Sequence, residues 1–452
     1  MEDHGSHLVS LKLRKRLSLM SQTLKAVRGT RDLLPPETAL WNRIEATARA
    51  VFARYNFGEI RTPVFEDTGL FARGVGEETD IVSKEMYTWE DRARAQSEKT
   101  QSLTLRPENT AGVVRAYIEH GLGESGLLQK LYYIGPQFRR ERPQKGRYRQ
   151  FSQIGAEVIG PPSAGSESPL RDAEVLEMLA TLLDELGIKG WTLQLNSVGS
   201  SADRARYNEA LRAALVPVVG QMCADCQRRA ETNPLRVLDC KVPADQPIIE
   251  TLPMIADSLD EESKKHFAAV TEALDAAGVP YTRNHRLVRG LDYYTRTTFE
   301  FTHGGLGAQN ALLGGGRYDG LSEMLGGPRA PGIGFAIGED RLVLTLLAQQ
   351  EGESVAAKAD AFIAPLGETL NAAALSLARE LRHQGLWIEL GEGSFRLKKS
   401  FDAAEKTARQ IVILGEDELQ SGILTVKNFS TGVQSKVPRA ELAAFLSEAS
   451  SK

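Results

Sequence analysis

The 452 residues carry 55 Lys and Arg against 59 Asp and Glu, a formal net charge of −4, with 42% hydrophobic and 25% charged residues. These are ordinary globular values in a chain too long for one ordinary domain, so about two to four are expected. The slight negative balance excludes wholesale coating of nucleic acid but leaves room for a local basic groove, and no run of about 18 apolar residues marks a membrane span.

Residues 1–25 read as an extension. They open acidic and lack a small-residue cleavage site after an apolar core, a poor secretory signal. The double proline of AVRGTRDLLPP (26–36) ends a polar turn. Leu40, Trp41, Ile44, Ala48, Val51, Phe52 and Tyr55 then recur at helical spacing, and Gly58 closes that helix. Glu59 to Phe65 reads as one strand broken by Pro63. KEMYTWE (84–90) and QSLTLR (101–106) suggest two antiparallel strands, followed by RPENT (106–110) at a strand-to-helix junction, where Glu108 and Thr110 suit either a helix cap or an ammonium group. A strand over 128–138 leads into FRRERPQKGRYRQFSQIGAE (138–157), a basic hairpin. Six of its residues from Phe138 to Arg149 are Lys or Arg and only Glu141 opposes them. A bare charge run is usually solvated surface. Here an aromatic, an amide and a carboxylate follow at once, which suggests a nucleotide floor with a polar pocket beyond it.

A helix over 171–186 and a strand over 191–198 come next. Between about 199 and 270 the chain turns helical and charged, reads as an inserted module, and holds Cys223, Cys226 and Cys240. An odd thiol count fits a reducing cytoplasm. With no fourth cysteine or nearby histidine, these three read as plain thiols rather than a zinc site. Strands resume at Tyr281. Two glycine-dense strands follow, around 304–316 and 331–338, and neither is a phosphate loop because the lysine is missing. A helix over 339–349 and a linker over 350–358 lead to alternating strands and helices over 359–452, a small α/β unit with a mostly parallel or mixed sheet.

These stretches are recognisable together. Residues 138–157 resemble motif 2 of the class II aminoacyl-tRNA synthetases. Glu59 to Val64 with the helix before it is similar to motif 1, their dimer element, and GFAIGEDR (334–341) to motif 3. LVRGLDYY (287–294), GGGRYDGL (314–321) and RPENT narrow the resemblance to the histidyl-tRNA synthetases, from about Val27 to the C-terminus. The resemblance implies an α+β catalytic domain over 26–349, an antiparallel sheet flanked by helices with the helical insertion at about 199–270. It also implies a C-terminal α/β anticodon-binding domain over 359–452, a cytoplasmic homodimer, no membrane, and partners L-histidine, ATP with Mg²⁺, and tRNA(His). Histidine would be activated to its adenylate and then passed to the tRNA 3′ end.

Residue by residue, the resemblance implies that Arg139 holds the α-phosphate, Glu141 orients the adenine side and Arg147 reaches the γ-phosphate. Phe151 and Arg341 would sandwich the adenine. Arg289 would neutralise charge at the α-phosphate beside the bound histidine, which makes Arg289 and Arg139 the catalytic pair. The histidine ammonium would meet Glu108, Thr110 and Gln153, and its imidazole Glu157 and Tyr294 with Tyr293 nearby. The glycine-dense strands would give the ring room. Arg142 and Gln144 at the hairpin tip would touch the tRNA acceptor stem, and Lys398, Lys399 and Lys427 are candidate phosphate contacts. A non-catalytic paralogue serving histidine biosynthesis shares this core but lacks the C-terminal domain. An RNA-binding scaffold without catalysis is the other alternative, and the intact arginine and carboxylate sets oppose it.

Overall fold

The computed structural model describes residues 24–76, 79–91, 100–144, 146–289, 291, 293–306, 310–349 and 358–450. Residues 1–23 of the expected extension, most of the turn after Asp91, Lys145 of the hairpin tip and residues 350–357 of the linker lie outside the described residues. Among the described residues no helix is long and apolar enough to cross a membrane. The chain divides into two compact units, residues 1–353 and 354–452.

In the first unit, α1 (Glu37–Arg54) buries Trp41, Ile44, Ala48, Val51 and Phe52 along one stripe. The single strand expected over 59–65 is instead two pieces, β1 (Gly58–Glu59) and β2 (Phe65–Asp67), and they belong to different sheets. Pro63 cannot donate a ladder bond, and the intervening backbone serves Arg106, which donates to the carbonyls of Thr62 and Pro63 at 3.0 and 3.3 Å. After α2 (Thr68–Val75), strands β3 (Tyr87–Asp91) and β4 (Gln101–Leu105) join β2 in a small sheet ordered β2-β4-β3. Next come α3 (Thr110–Glu119), β5 (Gln129–Phe138), β6 (Gln150–Ile159), α4 (Pro169–Glu185) and β7 (Trp191–Ser197).

The inserted helices are α5 (Ser201–Leu215), α6 (Ala224–Thr232), α7 (Gln246–Ile249) and α8 (Glu261–Ala277). The last runs past residue 270, and Val270 and Leu274 pack into the main core with α4 residues Leu179 and Leu183. Then β8 (Tyr281–Arg283), β9 (Thr295–His303), β10 (Ala311–Arg317), α9 (Leu321–Met324), β11 (Gly332–Gly338) and α10 (Glu339–Gln349) complete the unit.

The main sheet has eight strands in the order β1-β5-β6-β11-β10-β9-β7-β8. It is antiparallel except at its two edge pairs, β1 with β5 and β7 with β8. Its core face carries Ile154, Ala156 and Val158 from β6, Phe299 and Phe301 from β9, and Ile333, Phe335 and Ile337 from β11, packed on α1, α4 and α8. The opposite face is left for the cleft. The second unit is one mixed sheet, order β13-β12-β14-β15-β16, built from β12 (Ala359–Pro365), β13 (Ile388–Leu390), β14 (Ala408–Leu414), β15 (Ile423–Asn428) and β16 (Gln434–Pro438). The first three are mutually parallel and the last two antiparallel. Sequence reading missed its short helix Glu416–Ser421, whose acidic run carries no apolar stripe.

One charge cluster fixes the strand ends. Arg317 is fully buried and donates to Asp172 at 2.6 Å, Asp319 at 2.8 Å and the Ser166 carbonyl at 2.6 Å. Thr297 donates to the other oxygen of Asp172 at 2.6 Å. Removing one partner of a buried pair strands the other charge. Asp172→Ala is therefore expected to cost about 3 kcal/mol or more in urea unfolding, whereas Asp172→Leu combined with Arg317→Met recovers much of that loss; equal destabilisation of the single and double variants would contradict this account.

Candidate active site

The cleft grows from the alternation of β6. Even-numbered Ile154, Ala156 and Val158 enter the core, so Phe151, Gln153, Gly155 and Glu157 project from the other face. β6 is flanked by β5 and β11, with Glu157 opposite Leu131 on one side and Gly334 on the other. A Cβ at Gly334 would lie 1.6 Å from Oε2 of Glu157, and one at Gly314 would lie 2.4 Å from the Arg289 guanidinium. The glycine-dense strands thus make room first for this chain's own side chains, where sequence reading gave that room to a bound ring.

An open cleft of about 440 Å³ lies on this face, within the usual range for small-ligand sites. It brings together Arg139, Glu141, Arg147, Phe151, Gln153, Arg289 and Arg341 from the sequence-derived set. The guanidinium of Arg139 lies 5.2 Å from the Phe151 ring centroid, and its Nε donates to the Pro107 carbonyl at 2.9 Å. Glu141 and Arg147 pair across the hairpin at 3.2 Å. Arg289 donates to Glu300 at 2.5 Å. Burial pulls the Arg289 pKa down, but Glu300, Tyr294 and Asp239 outweigh it and leave the pKa raised. Arg341 is held below the usual guanidinium range by burial and by Arg147. Gln153 is buried, and its Oε1 has no protein partner, so it is an acceptor awaiting a donor.

Glu108, Thr110, Glu157, Tyr293 and Tyr294 form a second, buried cluster rather than lining the open cleft. Glu108 accepts from the Thr110 and Ala111 amides at 2.8 and 3.0 Å, which makes it the acceptor at the start of α3, where sequence reading left a helix cap and an ammonium group both open. Burial raises its pKa, and those amides work against the rise. Thr110, expected beside an ammonium, donates to Glu157 Oε1 at 2.7 Å, and Tyr318 donates to Oε2 at 2.7 Å. Tyr133 stands at 3.5 Å. Tyr294 packs on Tyr293 at 4.8 Å between ring centroids, and Tyr293 meets the Tyr318 edge at 5.9 Å.

Arg142 and Gln144 are exposed on the hairpin turn, where the Gln144 and Arg147 backbones bond to each other at 3.1 and 2.9 Å. In the second unit Lys398 and Lys399 are exposed and Lys427 is half-buried. Sequence reading missed Tyr318, Tyr133 and Glu300. Tyr318 sat in a quoted motif, GGGRYDGL, without a role. Glu300 stands between Phe299 and Phe301, and that alternation marks it as facing away from the core. Tyr133 carried no local signal. Also missed was Arg236, which reaches the cleft from the inserted module.

Burial pushes the Glu157 carboxyl up to about 8, against the hydrogen bonds from Thr110 and Tyr318. The unfolded chain releases this proton near 4.5. Between those values the native state keeps a proton that the unfolded state has lost, so stability falls as pH rises through the window. Glu339, also raised to about 8 chiefly by burial, adds a slope of the same sign. Glu157→Gln should leave a shallower decline in urea-unfolding stability across this window and be the more stable protein at its alkaline end; an unchanged slope would rule out a buried, protonated Glu157.

The comparisons with known proteins agree in extent and order. The histidyl-tRNA synthetase family model matches residues 29–342, and an anticodon binding domain model matches residues 360–449. The chain is similar to a histidine--tRNA ligase of Koribacter versatilis, 72% identical over 424 residues, covering 94% of this chain and 96% of that protein. A histidine--tRNA ligase of Solibacter usitatus is 57% identical, covering 94% of this chain and 100% of that protein. Among solved structures, apo histidyl-tRNA synthetase of S. aureus superposes with a TM-score of 0.76 at 38% identity, covering 94% of this chain and 100% of that one. The chain belongs to the histidyl-tRNA synthetase family.

Proposed function

We infer that this chain is a histidine–tRNA ligase that activates L-histidine with ATP and then esterifies the tRNA 3′ end. The observation that carries the reading is the convergence of Arg139, Arg289 and Arg341 with Gln153 on one cleft. Three guanidinium donors and one amide acceptor around a space of this size suit a reaction in which a carboxylate attacks a phosphate and pyrophosphate leaves. Charge must be spread and held in line, and no side-chain nucleophile is required.

In the first step the histidine carboxylate attacks the α-phosphorus, and the bond to the β,γ-diphosphate breaks. Arg139 and Arg289 hold the α-phosphate oxygens as charge develops. Adenine enters between Phe151 and Arg341 as Arg139 leaves the Phe151 ring for phosphate. Glu141 orients the adenine side, and Arg147, paired with it in this structure, turns to the γ-phosphate. The ammonium is received by Glu108, Thr110 and Gln153, and the imidazole by Glu157 with Tyr294 and Tyr293. In the second step the terminal ribose hydroxyl attacks the acyl carbon and AMP leaves.

Mg²⁺ on the outer phosphates belongs to the same reading. The cleft supplies an oxygen ligand for it in Glu85, which makes no ion pair among the described residues, and the ion when bound would neutralise phosphate charge. We further propose a cytoplasmic homodimer joined through residues 59–64 and α1, acceptor-stem contacts at Arg142 and Gln144, and anticodon contacts on residues 359–452. The catalytic domain is assigned to 26–349 in this scheme.

Arg289→Ala is expected to abolish histidine-dependent pyrophosphate exchange while the histidine Kd moves little; near-normal exchange would remove Arg289 from the chemistry. Glu157→Gln is expected to raise the KM for histidine more than that for ATP, roughly tenfold or beyond if its buried hydrogen bonds set ring recognition. Equal effects on the two constants would place Glu157 in general folding instead. Loss of exchange in the wild-type chain with retained tRNA binding would favour the scaffold reading.

A further inference from the structure

The inserted module holds a second constellation, independent of the ligase reading. Cys223, Cys226, Cys240 and Asp245 bring one ligand atom each within 4.8 Å of all the others. The Cys223 and Cys240 sulfurs are 3.9 Å apart, and Cys240 Sγ lies 3.2 Å from Asp245 Oδ2. A tetrahedral zinc with bonds of about 2.3 Å to sulfur and about 2.0 Å to oxygen has edges of roughly 3.8 and 3.5 Å. The sulfur pair is too far apart for the bonded separation of about 2.05 Å of a disulfide, and a disulfide would leave Cys226 and Asp245 without a part.

Two further observations point to a cation. Asp245 is 1% exposed yet forms no ion pair among the described residues; its contacts are the Cys223 amide at 3.1 Å and thiols. A buried carboxylate without a counter-charge is costly. Backbone and helix geometry also direct positive dipoles at the sulfurs. The Val242 amide donates to Cys240 Sγ at 3.4 Å, and Cys223 caps the N-terminus of α6, with Cys226 in its first turn, where the helix dipole stabilises negative charge.

We propose that Cys223, Cys226, Cys240 and Asp245 bind one structural Zn²⁺, the three thiols giving up their protons to solvent as the metal binds. Soft thiolates with one carboxylate in a closed four-ligand shell select zinc over magnesium or calcium. The ligands lie on three short segments: the start of α6, the turn after Asp239 and the turn at Asp245. Together they tie down short helical segments whose apolar residues share one cluster with Tyr293, Tyr294 and Tyr318. The turn Pro234–Asp239 that Cys240 anchors also carries Arg236 into the cleft. The missing fourth ligand that made the cysteines read as plain thiols is Asp245, five residues beyond the last cysteine, in a type and spacing that cysteine counting does not search.

The test is metal analysis of the full chain, expressed in zinc-sufficient medium and dialysed against metal-free buffer. About one zinc per chain is expected by elemental mass spectrometry. Co²⁺ replacing it should show thiolate-to-cobalt charge transfer and intense tetrahedral ligand-field bands. Cys226→Ser and Cys240→Ser should bring zinc to background. Because losing a buried ligand can unfold the module, two milder variants decide the matter: Asp245→Cys retains the metal, and Asp245→Ala yields it to a competing chelator at least tenfold more readily. Zinc at background in the wild-type chain with three free thiols, or a Cys223–Cys240 disulfide found by peptide mapping, would overturn the proposal.

Discussion

The site depends on one strand having two unlike faces. Residues 151–158 of β6 alternate between core and cleft, and because the side-chain period is two, a register slip of one residue would exchange every member. Ile154, Ala156 and Val158 would then face water, and Glu157 would face oil. Neighbouring strands enforce the register twice. The ladder to β5 runs unbroken from Gln129 opposite Ile159 to Phe138 opposite Gln150, and the ladder to β11 sets Gly334 opposite Glu157. At Gly334 no other residue leaves space for the carboxylate. The hydrophobic core and the polar cleft are therefore two readings of the same pairing, and packing energy spent on one face holds the geometry of the other.

Burial gives the second cluster its character. With Thr110, Tyr318 and Tyr133 around it and no ion pair among the described residues, Glu157 is pushed to about 8 and enters neutral solution mostly protonated. An imidazole titrates near 6.5. On the proposed reading, a histidine side chain brought against Glu157 shares one proton with it, either as carboxyl to neutral ring or as carboxylate to cationic ring. The arrangement accepts both forms, and it leaves buried hydrogen-bonding groups unsatisfied beside any apolar ring of similar shape, which is how a polar pocket discriminates. A salt-bridged carboxylate would lack this latitude, since its charge would be fixed by its partner.

Much of this was legible in the residues and some was not, for physical reasons. Long periodic stretches such as α1, α4 and the β12–β16 unit announce themselves, because one buried face forces a repeat on the sequence. The hairpin was legible because six basic residues in twelve leave few structural explanations. What stayed hidden was pairing across distance. Glu157 with Tyr318 and Arg317 with Asp172 join segments more than a hundred residues apart that only the fold brings together, and either member alone is an unremarkable polar residue. The split of residues 59–67 between two sheets was equally hidden, because a proline signals an interruption without saying where each half goes. The packing of α8 was hidden because it looks as charged as its neighbours; only Val270 and Leu274 show that it reaches the core.

The pairs found within the cleft also bear on what ligands must do. Glu141 with Arg147, Arg289 with Glu300 and Arg139 over Phe151 are arrangements in which cationic groups already have partners. Leaving those guanidinium groups unpaired in a partly buried cleft would cost more than the modest gain from each pair returns. Phosphate oxygens offer bidentate acceptors of higher charge than a carboxylate or an aromatic face, so on the proposed reading nucleotide entry exchanges partners instead of filling vacant positions. On the same reading the exchange discriminates: a ligand without phosphates would have to displace Glu141, Glu300 and the Phe151 ring with nothing stronger to offer, whereas one that carries them would recover each broken contact as the α-phosphate comes into line.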